Sequence, residues 1–411
     1  MASAAPRTDG AINNLRAVVV LFVIAVHSVL GYAASAPHAP IPFDRPPYNW
    51  RTFPVLDPSR FIGFDVFCAW ADVFLMPLFF LVSGFFVWQS LERNGAHRFV
   101  RRRAARLVPP FLVGVGLLLP IAVYPAYART ATHPGLVDYW HRLTALPFWP
   151  AGPMWFLWVL LVFDLLAAAG FLLLPEAWVS ALSDRAARAP KRFFAGFLAL
   201  SMLAYVPLGT AFGPMRWFQF GPFSFQLNCI GLEAFYFFGG VVVGARGYER
   251  ALPMLARRWK RWSAAAAVMF GVWLAVSAKT FTTPGPSLFW QFADAVALVP
   301  ACFASCCAAL GLATRFAGVR GRVLDSLRAC AFGMYWVHYP IVAWLQYAGL
   351  RIAAPAIPKA LLVFVCATAL SWSATALLLR VPVAGALVGG GLPRRRPPSR
   401  SVPTYTPALS D

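Results

Sequence analysis

Residues 15–34 read LRAVVVLFVIAVHSVLGYAA, an apolar stretch with Arg16 at its start and His27 in its interior. A helix of roughly 20 residues crosses a hydrocarbon core about 30 Å thick. No small-residue cleavage site follows this stretch, so we interpret it as a retained span rather than a removed signal peptide. The chain is therefore predicted to begin with a transmembrane helix.

The rest of the chain has the same apolar character. Hydrophobic residues make up 60% of the 411 positions and charged residues 12%, about half the charged share of soluble domains. About ten stretches have spanning length, at residues 15–34, 61–89, 107–128, 153–175, 191–210, 224–246, 263–279, 287–312, 327–350 and 359–380. We predict an all-α polytopic membrane helix bundle over residues 15–380, preceded by an N-terminal segment (1–14) and followed by a disordered tail (381–411).

The basic residues are distributed unevenly between alternate loops. The net charge is +21, and 27 of the 36 Lys and Arg residues fall on one side of the predicted bundle. By the positive-inside rule that side is cytoplasmic, so both termini are predicted to face the cytoplasm. This asymmetry favours anionic lipid over nucleic acid as the partner of the basic loops.

The sequence contains no pattern typical of a metal site or a resident cofactor. No CxxC motif comes with a matching histidine set, and no glycine-rich phosphate loop is present. We predict that the protein holds no metal and no bound cofactor.

Arg16 and His27 form the most informative pair inside a predicted span. Eleven residues separate them, so both side chains lie on one helix face and differ in height by about 16 Å. A histidine inside a membrane needs a partner, and it can hold or pass a proton near neutral pH. Two interpretations stay open: a catalytic base, or a neutral histidine that is hydrogen-bonded to a neighbouring helix.

A basic run follows the second predicted span. Residues 97–110 read HRFVRRRAARLVPP and contain five arginines. The guanidinium group of arginine binds phosphate through paired hydrogen bonds. In a helix, Arg102, Arg103 and Arg106 would lie close together. Binding of a phosphorylated ligand at the cytoplasmic side competes with a simpler role as a lipid-headgroup anchor.

Several other polar residues interrupt the predicted spans. Glu233 and Asp294 are candidates for orienting His27, pairing with an arginine, or bonding between helices. Asp72 in the second span is a further candidate site residue. His338 is predicted to lie near the outer membrane edge, where a packing role is favoured.

Four blocks of the sequence carry a resemblance to a known family. They are NNLRAVVVLFVIAVHS (13–28), MPLFFLVSGFFVWQSLERNGAHRFVRRRAARLVPPFLVG (76–114), GPMWFLWVLLVFDLL (152–166) and GMYWVHYPIVAW (333–344). Together they resemble the acyltransferase type 3 family of membrane enzymes, particularly the branch containing glucan biosynthesis protein C. The blocks occur in the family order and are spread over most of the chain.

The resemblance implies an activity and roles for individual residues. Such a bundle would move an acyl group, succinyl or acetyl, from cytoplasmic acyl-coenzyme A to a hydroxyl of an extracytoplasmic glycan, in a bacterial inner membrane. His27 would be the catalytic base with Arg16 as its companion, and Arg103 and Arg106 would engage the phosphates or pantetheine of the donor. Trp155 and His338 lie in the later blocks. Many relatives carry histidine where this chain has Met154.

Two alternatives to this function are retained. A proton-coupled secondary transporter would use His27 and the intramembrane acids, although no inverted repeat is visible. A different class of membrane acyltransferase, with its catalytic histidine late in the chain, would depend on His338 instead.

Overall fold

The computed structural model describes residues 5–40, 42–213, 216–316, 318 and 321–389, except for the side chains of residues 5–9. The helices are α1 Ala5–Leu30, α2 Ile62–Gly84, α3 Val87–Asn94, α4 Ala96–Val113, α5 Leu119–Ala128, α6 Leu136–Thr144, α7 Trp155–Leu173, α8 Glu176–Arg188, α9 Pro190–Phe212, α10 Ile230–Ala245, α11 Leu252–Arg257, α12 Trp259–Thr282, α13 Leu288–Phe316, α14 Arg322–Gly349, α15 Ala356–Leu378 and α16 Pro382–Gly389. The strands are β1 Trp217–Phe220 and β2 Phe223–Gln226, which form an antiparallel hairpin. Short 3₁₀ turns lie at Asn49–Arg51, Gly152–Met154 and Tyr248–Arg250.

The helix inventory confirms the predicted membrane bundle. Within the described chain, eight helical stretches are long and apolar enough to cross a membrane, and a bent pair, Ile230–Ala245 with Tyr248–Arg257, raises the number to nine. Helix α14 is also long enough, because its 28 residues extend over about 42 Å. His338 and Gln346 on this helix are buried against other helices. The cytoplasmic placement of both termini stays a prediction from the positive-inside rule.

The two ends of the chain differ partly from the predicted division. Helix α1 already begins at Ala5, inside the segment 1–14. At the other end, Pro382–Gly389 is helical instead of disordered, because the apolar side chain of Val388 is fully buried against Gly333 of α14. Residues 390–411 of the predicted tail lie outside the described part of the chain.

Glycines bring α2 and α10 into close contact. A Cβ atom added at Gly240 would lie 2.1 Å from the Leu81 carbonyl oxygen, and one at Gly244 would lie 2.0 Å from that of Phe85. Small residues allow membrane helices to approach this closely, and dispersion contacts then stabilise the pair. The packing fixes the height of α10 relative to α2.

A π-helical segment, Gly114–Leu118, joins α4 to α5 within the third span. The Leu119 N–H donates to the Gly114 carbonyl five residues earlier, which leaves the Val115 carbonyl without its usual α-helical donor. Residue 120, the next possible donor, is proline and has no N–H. The indole Nε1 of Trp149 takes this place and donates to the Val115 oxygen at 2.7 Å.

The outer side of the bundle is covered by an ordered layer. An aromatic cluster of Phe43, Trp50, Tyr127, Tyr139 and Phe148 packs the loop between α1 and α2 onto α5 and α6.

Two polar contacts attach the α1–α2 loop more firmly. Asp57 forms a buried ion pair with Lys359 of α15. Asp65 of α2 accepts hydrogen bonds from the backbone N–H groups of Ala34 and Ser35. The loop is therefore part of the folded core rather than a free connection.

Candidate active site

Two histidines from opposite ends of the chain meet inside the bundle. The ring centroids of His27 on α1 and His338 on α14 are 5.2 Å apart, and the Tyr339 ring meets the His27 ring edge-on at 5.1 Å. His338 is fully buried in the bundle. Its place near the outer membrane edge stays a prediction.

Hydrogen bonds between the two helices fix their relative height. The Gln346 amide on α14 donates to the carbonyl oxygens of His27 and Ser28, at 3.0 and 3.1 Å. These carbonyls belong to the last turn of α1, where no intrahelical donor is available. Gln346 therefore caps α1 and places His27 opposite His338.

Irregular backbone on the third and fourth spans supports the other face of α14. Trp336 donates from Nε1 to the Pro110 carbonyl at 2.7 Å, and the Tyr335 hydroxyl donates to the Pro153 carbonyl. Met154, where many relatives carry histidine, is buried against Gly114 and Trp336. Trp155, the next residue, packs on the Phe80 ring and the Trp217 ring of β1.

The hydrogen bonds of the histidine rings define what the pair can do. His338 Nδ1 lies 2.6 Å from the Tyr335 carbonyl oxygen, which can only accept, so Nδ1 carries the proton and Nε2 of the neutral ring carries the lone pair. Within the described chain, His338 Nε2 and His27 Nδ1 are buried without a hydrogen-bond partner. His27 itself is partly exposed. The site thus combines two adjacent imidazole rings with ring nitrogens that are free to accept or donate a proton.

A cluster of arginines lies near the N-terminal half of α1, on the side that is predicted to be cytoplasmic. The charges of Arg16, Arg103 and Arg106 act on one another, and Asp164 of α7 is the acid that balances part of them. Arg103 Nε lies 3.3 Å from Asp164 Oδ2, and this carboxylate is 1% exposed. Three cations face one carboxylate, so the cluster suits an additional anion.

The third predicted arginine lies apart from this cluster. Arg102 is exposed, and its guanidinium donates to Asn94 Oδ1 at 2.5 Å. Sequence reasoning overlooks Asp164, although a lone acid inside the apolar stretch 153–175 is the signal that could have identified it.

A small cleft lies beside Arg16, between α1 and α2. It has a volume of about 10 Å³ and is lined by Leu15, Arg16, Val19, Leu78, Phe79 and Val82. The Phe79 ring at its wall contacts the Tyr335 ring at 6.4 Å, and Tyr335 in turn contacts His338 at 5.9 Å.

The intramembrane acids form a separate group away from His27. Asp72 on α2 interacts electrostatically with Glu233 on α10, and Asp294 faces Ser277 and Trp273 of α12. Among the described residues, the ionisable group that acts on His27 is His338 and not a carboxyl group. The structure therefore does not bring these acids into position to orient His27.

Comparison with known proteins gave one finding. A family model described as an acyltransferase domain matches residues 9–376, which is nearly the whole chain. No curated protein and no solved structure gave a significant match.

Proposed function

Because the chain belongs to this family of acyltransferase-domain proteins, we propose that it is a membrane O-acyltransferase using acyl-coenzyme A from the cytoplasm. The acceptor is a hydroxyl group of a glycan outside the membrane. The observation that carries this proposal is the arrangement along α1: an arginine cluster at the end that is predicted to be cytoplasmic, and a histidine pair about 16 Å further along.

The arginine cluster supports the donor end of the proposal. Guanidinium groups bind phosphate oxygens through paired, charge-assisted hydrogen bonds. Arg16, Arg103 and Arg106 would hold the phosphates of the donor, and the pantetheine arm would extend along α1 towards His27. Coenzyme A is thus a substrate that leaves after transfer, not a resident cofactor.

The histidine pair supports the chemical step. His27 accepts the proton of the acceptor hydroxyl while that oxygen attacks the thioester carbonyl carbon. The carbon–sulfur bond then breaks, and the coenzyme A thiolate leaves with the electron pair and is protonated. The second possible mechanism is covalent catalysis. In it the imidazole first takes the acyl group from coenzyme A and then passes it to the acceptor hydroxyl.

The finer assignments rest on resemblance to the glucan biosynthesis protein C branch. They are a succinyl or acetyl group as the cargo, a polysaccharide as the acceptor, and a bacterial inner membrane as the location.

A sided transfer assay tests this proposal. Proteoliposomes of known orientation receive labelled acyl-coenzyme A at the arginine side and a glycan mixture at the other side. We expect the label on glycan only when donor and acceptor are on opposite sides, with coenzyme A released in equal amount. Coenzyme A release without any dependence on side would contradict transfer across the membrane.

The carboxyl pair of Asp72 and Glu233 is the observation that favours a proton-coupled transporter as the second candidate. Two acids without a basic neighbour share protons readily. Acidification of the vesicle lumen that requires Glu233 but no acyl donor would support it.

A further inference from the structure

A positively charged residue, Arg51, lies on the outer side of the histidine pair. Arg51 ends the 3₁₀ turn Asn49–Arg51 in the α1–α2 loop, and its carbonyl oxygen accepts a hydrogen bond from the Tyr339 hydroxyl at 3.4 Å. The Tyr339 ring contacts the His27 ring at 5.1 Å. One tyrosine therefore separates the backbone of Arg51 from the proposed base.

Two segments distant in sequence hold the Arg51 side chain in place. Its Nη2 donates to Gln219 Oε1 of β1 at 2.6 Å, and its Cζ lies 4.5 Å from the centre of the Phe148 ring. Gln219 is fixed in turn, because its Nε2 donates to the Gly221 carbonyl at 2.8 Å and lies 3.3 Å from the Trp149 carbonyl. The guanidinium is thus preorganised by the hairpin and by the segment before α7.

The partners of Arg51 are all neutral. Within the described chain no carboxylate forms an ion pair with it, whereas nearby Arg142 pairs with Asp138 and Asp44, and Lys359 pairs with Asp57. A guanidinium has five N–H donors, and the Gln219 contact uses one of them. The remaining donors and the uncompensated charge are available to a ligand.

The electrostatics of this position favour an anion. Burial lowers the pKa of Arg51, since its charge is partly removed from water without a counter-ion. Arginine still remains charged at neutral pH. A carboxylate that arrives next to it would replace the lost hydration and form a two-pronged ion pair.

We propose that Arg51 binds a carboxylate of the substrate and thereby determines which acyl transfer the site performs. The carboxylate belongs either to the far end of a dicarboxylic acyl chain held at His27 or to an acidic sugar of the acceptor. This inference rests on the proposed acyltransferase function. Arg51 is a specificity-determining residue here, because it contacts the charged end of a substrate and not the reacting atoms.

The test is a transfer assay with two donors and two acceptors. The full-length protein in proteoliposomes receives succinyl- or acetyl-coenzyme A, each with a neutral or an acidic oligosaccharide. The variants are Arg51→Gln and Arg51→Lys, and Arg45→Gln is the matched control because Arg45 is an exposed arginine in the same loop. We expect Arg51→Gln to lower kcat/KM about 30-fold with the carboxylate-bearing substrate and at most about threefold with its neutral counterpart. Arg51→Lys should restore part of the loss.

The pattern of losses identifies the source of the carboxylate. If kcat/KM of Arg51→Gln falls with succinyl-coenzyme A whichever acceptor is used, Arg51 binds the carboxylate of the acyl chain. If kcat/KM falls with the acidic oligosaccharide whichever donor is used, Arg51 binds the carboxylate of the glycan. Equal losses in all four combinations would show a merely structural role and overturn the inference. No loss in any combination would overturn it as well.

A binding measurement keeps the inference separate from the proposed function. The thermal stability of the purified protein is measured with succinate and with neutral succinamide. Stabilisation by succinate that disappears in Arg51→Gln but persists in Arg45→Gln supports the carboxylate site even if no acyl transfer is observed. Identical responses of wild type and Arg51→Gln would contradict it. A wild type that transfers acyl groups while Arg51→Gln behaves identically leaves the acyltransferase intact and removes only this inference.

Discussion

The histidine pair and the carboxyl pair are both polar groups inside the membrane, yet their surroundings differ. His27 and His338 lie next to Tyr339, whose hydroxyl donates to the Arg51 carbonyl in the α1–α2 loop. Asp72 and Glu233 lie on α2 and α10 and act electrostatically on each other, and Asp72 also acts on Tyr205. The glycine contact between these two helices begins about two turns further along, at Gly240. The difference shows that polarity within a span does not by itself identify a reaction site. Contact with an ordered loop outside the helices distinguishes the histidine pair.

The comparison predicts its largest effect at His27. We expect His27→Ala to lower the rate of acyl transfer by roughly 10²–10⁴-fold, because proton transfer by a positioned base has about this value. The measurement is the initial rate of coenzyme A release, with equal amounts of folded protein verified by gel filtration in detergent. A His27→Ala variant that retains a tenth or more of the wild-type rate would contradict His27 as the base and make His338 the next candidate.

A smaller effect is expected in the arginine cluster. Arg103→Gln should raise KM for acyl-coenzyme A about tenfold and change kcat less, because the lost contact serves donor binding more than the reacting atoms. Arg98→Gln is the control, since Arg98 is an exposed arginine in the same helix. If both variants shift KM equally, the basic run acts as a diffuse surface charge rather than as a site.

A third prediction concerns the glycine contact between α2 and α10, the two helices that carry the carboxyl pair. Gly240→Ala should destabilise the protein by about 1–3 kcal/mol, because the new methyl group collides with the Leu81 carbonyl and the helices must separate. Gly271→Ala on α12 is the control, because a Cβ atom there meets no neighbour within 4 Å. Thermal unfolding in detergent measures both. Equal melting temperatures for the two variants would mean that the close α2–α10 contact does not form.

The smallest effect is expected at Glu233. Glu233→Gln keeps the shape of the side chain and removes one of two neighbouring acids, so the acyl-transfer rate should change by no more than about threefold. The rate with saturating donor is the appropriate measurement. A loss comparable to that of His27→Ala would erase the distinction between the two polar groups and favour a catalytic role for the carboxyl pair.

Much of the architecture could be predicted from hydropathy alone. Nearly every predicted stretch coincides with a long helix, because in lipid each backbone group must bond within its own segment. The bend of 86° after Ala245 and the π-helical segment 114–118 could not be predicted. Both depend on which neighbouring side chains take up the released backbone groups, as Trp149 does.

The site could be predicted in part. The position of Arg16 and His27 on one helix face could be predicted, since a single helix has known geometry. The proximity of His338 to His27 could not be predicted, because it depends on how α14 packs against α1. Arg51 lies in a loop with no periodic pattern, so only the folded structure brings it next to Tyr339.

The buried ion pair between Asp57 and Lys359 has a consequence for how the protein is made. The two residues are 302 positions apart, so Lys359 on α15 is synthesised long after the α1–α2 loop. During synthesis the loop therefore has no ion-pair partner at Asp57 until α15 has been made. A nascent chain that ends before α15 contains His27 but lacks this attachment of the loop.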